Sequence, residues 1–183
     1  MLSGQKIVLA VTGSIAAYKS CELLRLLIKR GAEVSVIMTE AAQRFVTPLS
    51  FQALGAKKVY TDDWGDSASP IPHIEATKDA SLLLVAPATA NILAKAAQGL
   101  ADDLLSAAIL AARCPVAYAP AMNTFMWHNQ ATQRNVTQLT QDGAIFLGPD
   151  SGEQACGDIG SGRMLEPEDI IELLQGAFSP RLL

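Results

Sequence analysis

Hydrophobic residues follow two patterns along this chain. Short runs of consecutive apolar residues alternate with longer stretches in which apolar residues recur at helical spacing. Continuous apolar runs bounded by polar residues and glycine are typical of strands that are buried on both faces of a sheet. The runs that predict strands are residues 6–11, 33–38, 81–87, 115–120 and 144–148.

The remaining periodic stretches predict helices. Gly31 ends the first helical pattern, and Pro167 stands at the start of the last one. Thr47 is a candidate N-cap of a further helix, with Pro48 at its first position. The helical patterns cover residues 14–31, 88–99, 102–113, 129–143 and 167–178.

Strands that alternate with helices predict a parallel sheet with helices on both faces, which is a Rossmann-like (flavodoxin-like) three-layer α/β sandwich. The chain has 183 residues, half of them hydrophobic, and is predicted to form one domain over residues 1–183. The stretch "GDSASPIP" at 65–72 is interpreted as a flexible loop. The closing "SPRLL" is interpreted as a segment without structure of its own, either a tail or the cut edge of a longer protein.

Composition narrows the class of ligand. The net charge is −4 and no run of lysines or arginines occurs, so the footprint of a nucleic-acid-binding protein is missing and a small ligand is expected. The apolar run near the N-terminus is too short to span a membrane and lacks a signal-peptide cleavage pattern. Cys21, Cys114 and Cys156 form no C-x-x-C pair, so neither a disulfide framework nor a metal site is expected, and a reducing cytoplasm suits them.

The carboxyl ends of the strands of an open parallel sheet are where ligands bind. After the first predicted strand, Gly13 allows a tight turn, and Ser14–Ala16 begin a helix whose free N–H groups suit a phosphate. The dinucleotide fingerprint needs three glycines, whereas this turn has one. A mononucleotide is therefore favoured over NAD, with an ordinary strand-to-helix turn as the alternative.

Polar side chains also follow other predicted strands. Thr39 comes at the end of the second strand, and Thr89 and Asn91 follow the third. Hydroxyls and amides that converge at one sheet edge suit ribityl and phosphate groups. Each of these side chains could equally be a helix cap.

The segment "YAPAMNTFMWHN" crowds unusual residues into a strand-to-helix junction. Taken alone, Asn123 is a turn or cap residue, and Met126 and Trp127 are core residues. Their combination favours a functional site. His73 follows a proline-rich loop and suits proton transfer, although a lone histidine is more often structural, and His128 is expected to be exposed.

Residues 154–164, "QACGDIGSGRM", place three glycines around a single cysteine. This stretch is predicted to form neither a regular helix nor a regular strand. Composition alone does not explain why a cysteine stands in such a segment.

Together these segments resemble the homo-oligomeric flavin-containing cysteine decarboxylases, and within them the bacterial enzymes that act on phosphopantothenoylcysteine in coenzyme A biosynthesis. The resemblance covers nearly the whole chain. The motifs that carry it are "GSIAAYK", the histidine of "HIE", "APATANILAK", "ADDLLS", "PAMNTFMW" and "ACGDIGSGRM". The last two are the most specific.

The resemblance implies FMN as the cofactor and phosphopantothenoylcysteine as the substrate. The residues implied to surround FMN are Gly13, Ser14, Ile15, Thr39, Thr89, Ala90, Asn91 and Ala121. Those implied to contact the substrate are Asn123, Met126, Lys78 and Ala155.

The reaction implied is decarboxylation to phosphopantetheine through oxidation of the cysteinyl thiol by the flavin, loss of CO2 and re-reduction of the enethiol. By resemblance, His73 assists the initial deprotonation, Asn123 hydrogen-bonds the substrate carboxylate, and Cys156 protonates the enethiol. The thiol would then stand on a flexible substrate lid at about 148–165 and act once substrate is enclosed.

The resemblance also implies partners. A homotrimer with the flavin at subunit contacts is expected, and four trimers can form a dodecamer. A C-terminal phosphopantothenate-cysteine ligase domain is fused in many bacterial members.

Two other function classes remain open. A peptidyl-cysteine decarboxylase or a prenyltransferase would share the flavin turn but need a different lid, and "ACGDIGSGRM" argues against both. A non-catalytic flavoprotein that binds a partner would lack at least one of His73, Asn123 and Cys156, and all three are present.

Overall fold

Six parallel strands form the central sheet of the computed structural model, which describes residues 2–62 and 70–178. The strands are β1 (Lys6–Val11), β2 (Glu33–Met38), β3 (Val59–Tyr60), β4 (Leu82–Ala88), β5 (Val116–Pro120) and β6 (Ile145–Phe146). Their order across the sheet is β3-β2-β1-β4-β5-β6. The order in which successive strands are added to the sheet therefore reverses between β1 and β4. Open α/β sheets bind their ligands at such a switch point.

Helices cover both faces of the sheet. They are α1 (Lys19–Lys29), α2 (Pro48–Ala53), α3 (Pro72–Thr77), α4 (Ala90–Gln98), α5 (Leu104–Ala111), α6 (Thr124–His128), α7 (Gln130–Gln141) and α8 (Pro167–Phe178), with 3-10 turns at Ile15–Tyr18 and Ala42–Arg44. One core joins the sheet to α1, α2 and α8, and the other joins it to α3, α4, α5 and α7. The predicted three-layer fold is confirmed.

Strand β4, in the middle of the sheet, is apolar at every position because both of its faces are buried. In β4, Leu82 and Leu84 enter the core under α1, whereas Leu83 and Val85 enter the core on the opposite face. All seven residues of β4 are buried. The alternation between the two cores from Leu82 to Ala86 explains why its sequence is a continuous hydrophobic run.

The last helix matches its predicted range, and the predicted strands match to within one residue at each end, except the last, which is shorter. Strand β3 was not predicted. The loop predicted at 65–72 falls largely on residues 65–69, which, like the predicted tail at 179–183, lie outside the described residues.

A second, antiparallel sheet corrects one prediction. It consists of β7 (Asp150–Glu153) and β8 (Ile159–Arg163), so the prediction that residues 154–164 contain no regular strand is wrong for residues 159–163. Gly162 has φ +136°, and its carbonyl accepts a 2.9 Å hydrogen bond from the Met122 backbone N–H. A Cβ there would lie 2.3 Å from the Met122 carbonyl oxygen, so this glycine permits a close approach of two backbones.

An ion cluster joins α4 to α5 away from these loops. Lys95 lies 2.7 Å from Asp102 and 2.5 Å from Asp103, and the hydrogen bonds that its ammonium donates to these carboxylates raise the pKa of Lys95. Burial alone would raise the pKa of Asp103, but hydrogen bonds from Lys95 and Ser106 outweigh it and hold the pKa below its ordinary value. Asp103 also caps α5, since its carboxylate accepts a 2.7 Å bond from the Ser106 N–H.

Among the described residues, none of the helices combines the length and the apolar character that crossing a membrane requires.

Candidate functional site

A cleft of about 690 Å³ opens at the carboxyl ends of β1, β4 and β5. It lies at the point of the sheet where ligand binding is expected from topology. Its residues come from three strand ends, from the helical segments after β1 and β5, and from the β7–β8 hairpin and the residue that follows it. They are Gly13, Ser14, Ile15, Ala16, Tyr18, Lys19, Thr89, Ala90, Ala121, Met122, Asn123, Met126, Glu153, Gln154, Ala155, Cys156, Gly162, Arg163 and Met164.

One side of the cleft, called here the sheet wall, consists of residues 13–16, 89–90 and 121–123. Buried hydroxyls fix the strand ends behind it. The Thr12 hydroxyl donates a 2.7 Å hydrogen bond to the Pro87 carbonyl and accepts a 3.3 Å bond from the Thr89 N–H. The Ser20 hydroxyl donates to the Ala86 carbonyl at 2.7 Å. The ends of β1 and β4 are therefore tied together beneath the cleft floor.

The turn after β1 leaves no space for a side chain at its glycine. A Cβ on Gly13 would lie 2.5 Å from the Ala41 Cβ. The next residue, Ser14, caps the following 3-10 turn, because its hydroxyl accepts a 3.2 Å bond from the Ala16 N–H. The N–H of Ile15, at the start of this turn, has no intrahelical partner and suits an anionic ligand.

A second helix begins at the same wall. Thr89 caps α4 by accepting a 3.4 Å hydrogen bond from the Ile92 N–H. The N–H of Ala90 stands in the unpaired first turn of this helix and lines the cleft. Two helical N-termini thus meet at one cleft, and their partial positive charges would act together on a phosphate bound there.

The opposite side, called here the hairpin wall, consists of residues 153–156 and 162–164. Gln154 joins it to the strand end after β5. Its side-chain oxygen accepts a 3.0 Å bond from the Thr124 N–H, and its side-chain nitrogen donates to the carbonyls of Met122 at 3.4 Å and Ser161 at 3.3 Å. The hairpin therefore packs on the "PAMNTFMW" segment.

Asn123 and Cys156 meet where the two walls touch. The Asn123 Oδ1 accepts a 2.8 Å bond from the Phe125 N–H and so caps α6, which turns Nδ2 toward the hairpin. Nδ2 donates to the Cys156 sulfur at 3.3 Å and to the Asp158 carboxylate at 2.7 Å. The Cys156 thiol donates to the same carboxylate at 3.2 Å.

The base of the hairpin is tied to α1. Lys19 is buried, and its ammonium donates to the Met164 carbonyl at 3.1 Å and to the Glu166 carboxylate at 2.7 Å. Arg163 donates to the same carboxylate at 3.3 Å. One carboxylate thus holds two cations that both line the cleft.

Most of the predicted site residues lie on the cleft. Among the described residues, those that line it and were predicted are Gly13, Ser14, Ile15, Thr89, Ala90, Ala121, Asn123, Met126, Ala155 and Cys156.

Four predicted residues do not line the cleft in the described part of this single chain: Thr39, His73, Lys78 and Asn91. The Thr39 hydroxyl accepts a 3.2 Å bond from the Ala42 N–H at the 3-10 turn after β2. Asn91 is exposed one residue beyond Ala90. His73 is half-buried on α3, and Lys78 is exposed at its end. His128 is exposed, as expected.

Sequence reasoning missed four residues that shape the site: Thr12, Lys19, Gln154 and Asp158. Thr12 directly precedes the predicted turn, so its place at the end of a strand could have identified it as a site residue. Nothing in the sequence identifies Lys19 or Gln154, because the residues that they contact are distant in the sequence. Asp158 stands two residues after the predicted catalytic cysteine.

The cleft fits a flavin mononucleotide. The sheet wall offers the N–H groups of two helix starts to a phosphate. Apolar Ile15, Met122 and Met126, which also line the cleft, suit an aromatic ring. Among the described residues, no group of three His, Cys, Asp or Glu side chains is placed to hold a metal ion.

Comparison with known proteins gives a family match. The family model described as Flavoprotein matches residues 1–179. The coenzyme A biosynthesis bifunctional protein CoaBC of Bacillus subtilis is 49% identical over 180 residues, which are 98% of this chain and 44% of that protein. The CoaBC protein of Escherichia coli K12 is 51% identical over 181 residues, again 98% and 44%. The chain spans less than half the length of these curated relatives.

Solved structures agree with this match over nearly their whole length. A PPC decarboxylase with a cysteine-to-serine mutation, complexed with pantothenoylaminoethenethiol, has a TM-score of 0.85 at 34% identity and covers 95% of this chain and 98% of its own. The FMN-dependent cysteine decarboxylase SpaF has a TM-score of 0.80 at 33% identity, with 97% and 99% covered. The FMN-binding protein AtHal3 has a TM-score of 0.81 at 34% identity, with 95% and 96% covered.

Proposed function

The chain belongs to the flavoprotein family, and on this premise we propose that it is an FMN-dependent decarboxylase that converts phosphopantothenoylcysteine to phosphopantetheine in coenzyme A biosynthesis. The observation that carries the proposal is the 3.3 Å contact between the Asn123 amide and the Cys156 sulfur at the mouth of the cleft. A carboxylate-binding donor and a proton-donating thiol then face the same space. The names of the matched proteins support the substrate and the pathway.

The sheet wall would hold the cofactor. Gly13, Ser14, Ile15, Thr89 and Ala90 surround the two helix starts that suit the FMN phosphate. When bound, FMN supplies the electron sink that the substrate lacks, by taking two electrons from its thiol-bearing end and returning them after CO2 is lost. We include Thr39 and Asn91, which lie next to this wall, as cofactor residues in the assembled protein.

Asn123 would bind the substrate carboxylate. Its Nδ2 already donates a 2.7 Å hydrogen bond to a carboxylate oxygen, that of Asp158. Because Oδ1 is held by the Phe125 N–H, the donor side of the amide keeps facing the cleft. Met126 and Ala155, which line the same space, would contact the body of the substrate.

Cys156 would donate the proton that converts the enethiol to product. The thiol is exposed at the hairpin wall and already donates its hydrogen to an acceptor. A matched PPC decarboxylase that carries a cysteine-to-serine mutation is complexed with an aminoethenethiol compound, which supports this role. The glycines beside Cys156 would allow residues 148–165 to act as a lid.

His73 would act from a neighbouring subunit. It stands on α3, outside the cleft of its own chain, while the family resemblance implies trimers with flavin at subunit contacts. Lys78, at the end of the same helix, would accompany it. Each site would then combine Asn123 and Cys156 of one chain with His73 of another.

Mixed assemblies test this arrangement. His73→Asn and Cys156→Ser chains should each form little phosphopantetheine, and subunits exchanged between them should regain phosphopantetheine formation because some sites contain neither substitution. The control is the same mixture of Asn123→Asp and Cys156→Ser chains, whose substitutions fall in one site and should not complement. Complementation in both mixtures, or in neither, would contradict a shared site.

The activity itself is tested with the purified yellow protein. Denaturation should release FMN, and incubation with phosphopantothenoylcysteine should release CO2 and phosphopantetheine. A peptide ending in cysteine is the competing substrate class, and preferential turnover of that peptide would overturn the substrate assignment. Release of FAD, or no turnover of either substrate by FMN-loaded protein, would overturn the proposed reaction.

We also propose that the chain forms homotrimers, four of which can form a dodecamer, in the cytoplasm. The curated relatives are named bifunctional, and the matched region is 44–46% of their length, which supports a second activity, a phosphopantothenate-cysteine ligase, in a longer protein. Light scattering coupled to size exclusion would give the mass of the assembly. A monomer with full decarboxylase activity would contradict the proposed trimer.

A further inference from the structure

Asp158 lies between the two side chains that the proposed reaction places at the substrate. Its Oδ2 accepts a 2.7 Å hydrogen bond from Asn123 and a 3.2 Å bond from the Cys156 thiol. Its backbone carbonyl accepts a 2.8 Å bond from the Gln154 N–H, which closes the turn between β7 and β8. The carboxylate is therefore held at the hairpin tip, half-buried, against the mouth of the cleft.

The Asn123 amide has both of its donors engaged. Its two N–H groups belong to Nδ2, which contacts the Asp158 oxygen and, at 3.3 Å, the Cys156 sulfur. The proposed substrate binds this amide through a carboxylate. A carboxylate of the protein thus occupies the donor that the carboxylate of the substrate requires.

Simultaneous occupation is unfavourable for electrostatic reasons. Two carboxylates that share one neutral donor would lie close together without a cation between them, and like charges at that separation repel. The cations that line the cleft, Lys19 and Arg163, are held by Glu166 at the hairpin base. Asp158 must therefore leave Asn123 when the substrate carboxylate binds.

We propose that Asp158 is a positioning residue that exchanges with the substrate carboxylate on Asn123; this inference rests on the proposed function. Substrate binding displaces Asp158 and moves the hairpin tip with Cys156 away from Asn123. Cleavage of the carboxylate carbon–carbon bond releases CO2 and empties the amide, and Asp158 then returns to it. This return brings the Cys156 thiol to the enethiol. The thiol proton would pass to one carbon of the enethiol double bond while the two electrons held by bound, reduced FMN would return as hydride to the other carbon, and the Cys156 thiolate would regain its proton from solvent. No covalent bond to Asp158 forms or breaks.

Two ligands that do not release CO2 separate exchange from simple support. One is the substrate analogue with serine in place of cysteine, which keeps the carboxylate, and the other is phosphopantetheine, which lacks it. Binding to FMN-loaded protein is followed by the change in flavin absorbance. Asp158→Ala should bind the carboxylate analogue about tenfold more tightly, or ~1.4 kcal/mol, and phosphopantetheine within about twofold of the unchanged protein.

The ratio of the affinities for the carboxylate analogue and for phosphopantetheine distinguishes exchange from simple support. An equal change for both ligands, or weaker binding of the carboxylate analogue, would overturn the exchange. Asp158→Asn keeps an acceptor oxygen for Asn123 and removes the charge, so it should tighten binding of the carboxylate analogue by a smaller factor than Asp158→Ala. If Asp158→Ala fails to retain FMN, the affinity ratio of Asp158→Asn provides the test. Asp150→Asn is the matched control, since Asp150 is exposed on the same hairpin and its carboxylate accepts from its neighbour Ser151.

The timing of proton delivery gives a second readout. In single turnovers, Asp158→Ala should release CO2 and accumulate enethiol, because the return of the thiol is no longer driven. CO2 release with normal phosphopantetheine formation would contradict the positioning role. Failure of the unchanged protein to release CO2 would instead contradict the proposed reaction, while the affinity ratio is measured without turnover.

Discussion

The sheet wall of the cleft is held by strand pairing and by buried hydroxyls, whereas the tip of the hairpin wall meets Asn123 through side-chain hydrogen bonds that are partly exposed to solvent. Thr12 and Ser20 are 2% and 0% exposed, and each hydroxyl donates a hydrogen bond to a main-chain carbonyl of β4. The Asn123, Cys156 and Asp158 contacts lie at the protein surface. Bonds of the first kind break only when the sheet opens, and bonds of the second kind can exchange with a ligand.

This difference assigns the two walls different tasks. A preformed wall suits a cofactor that stays bound through many turnovers, because no ordering cost is paid when it binds. A wall held by exchangeable contacts suits a substrate that must enter and leave in each turnover. Substitutions in the sheet wall should therefore change stability and FMN retention, and substitutions where the walls meet should change chemistry.

The largest effect is expected where the walls meet. Asn123→Asp keeps an oxygen for the α6 cap but places a negative charge against the substrate carboxylate and Asp158. Decarboxylation should fall by roughly 10³-fold while FMN stays bound. CO2 release and flavin absorbance of the same sample check both parts. Near-normal turnover at saturating substrate would remove Asn123 from the substrate site.

A smaller loss of turnover, with a change of product, is expected for Cys156→Ser. A hydroxyl is a much weaker acid than a thiol, so CO2 release should continue while phosphopantetheine formation slows by about 10²-fold and enethiol accumulates. Mass spectrometry of the products distinguishes this from a general loss of activity.

Cys114→Ser is the matched control for this substitution. Burial raises the pKa of the Cys114 thiol, and the residue stands before β5, away from the cleft. Its turnover and product should be unchanged. If Cys156→Ser also formed phosphopantetheine normally, the proton would have to come from another group.

Thr12→Val tests the sheet wall. The substitution keeps the shape of the side chain but removes the hydroxyl that joins the Pro87 carbonyl and the Thr89 N–H. The free energy of unfolding should fall by about 1–3 kcal/mol, and FMN should dissociate more readily. Turnover of the FMN-saturated enzyme should change by less than about twofold, because the reacting groups are untouched. Urea titration and equilibrium dialysis measure these effects.

Thr137→Val on α7 is its control, since Thr137 is exposed and its hydroxyl bonds only within its own helix. It should leave both FMN retention and stability nearly unchanged. Equal destabilisation by the two substitutions would show that the buried hydroxyl does not tie the strand ends together.

The smallest effect is expected away from both walls. Asp103→Asn keeps the cap of α5 and removes the charge that binds Lys95, so stability at pH 7 should fall by only about 0.5 kcal/mol. The pKa of Asp103 is lowered in the folded protein, so its charge contributes stability above the unfolded value of about 4 and loses it as pH falls through the folded value.

The difference between Asp103→Asn and the unchanged protein should therefore shrink as the pH falls. Urea titrations at pH 7 and at pH 3 in the presence of FMN give the comparison. A constant difference over this range would mean that the charge of Asp103 makes no contribution, and turnover should be unchanged at pH 7 in either case.

Much of the fold follows from the hydrophobic pattern, because both faces of the central strands are buried. Strand β4 is a continuous apolar run for this reason, whereas β3, at the sheet edge, has two residues and shows no period. The hairpin was missed because its glycines replace the side-chain alternation that marks a strand. Gly162 instead serves a backbone contact with Met122, which is distant in the sequence.

The site was predictable where topology determines it. Gly13, Thr89 and Asn123 follow strands whose ends must meet at one edge of the sheet, and all three line the cleft. The partner of Lys19, Glu166, lies 147 residues away, and nothing in a helical lysine indicates such a contact. The role of His73 remains a prediction, since a single chain does not contain the neighbour that the proposed site requires.

The β7–β8 hairpin makes no strand pair with the central sheet, and this makes it a replaceable part. Its two ends are fixed independently: the Leu147 N–H donates to the Tyr118 carbonyl at 2.8 Å, and Met164 is buried with its carbonyl held by Lys19. A contiguous segment between these anchors could be exchanged for that of a related enzyme without altering the register of the six strands. Substrate range in such proteins could therefore diverge by recombination of one short segment, while the cofactor-binding framework is inherited intact.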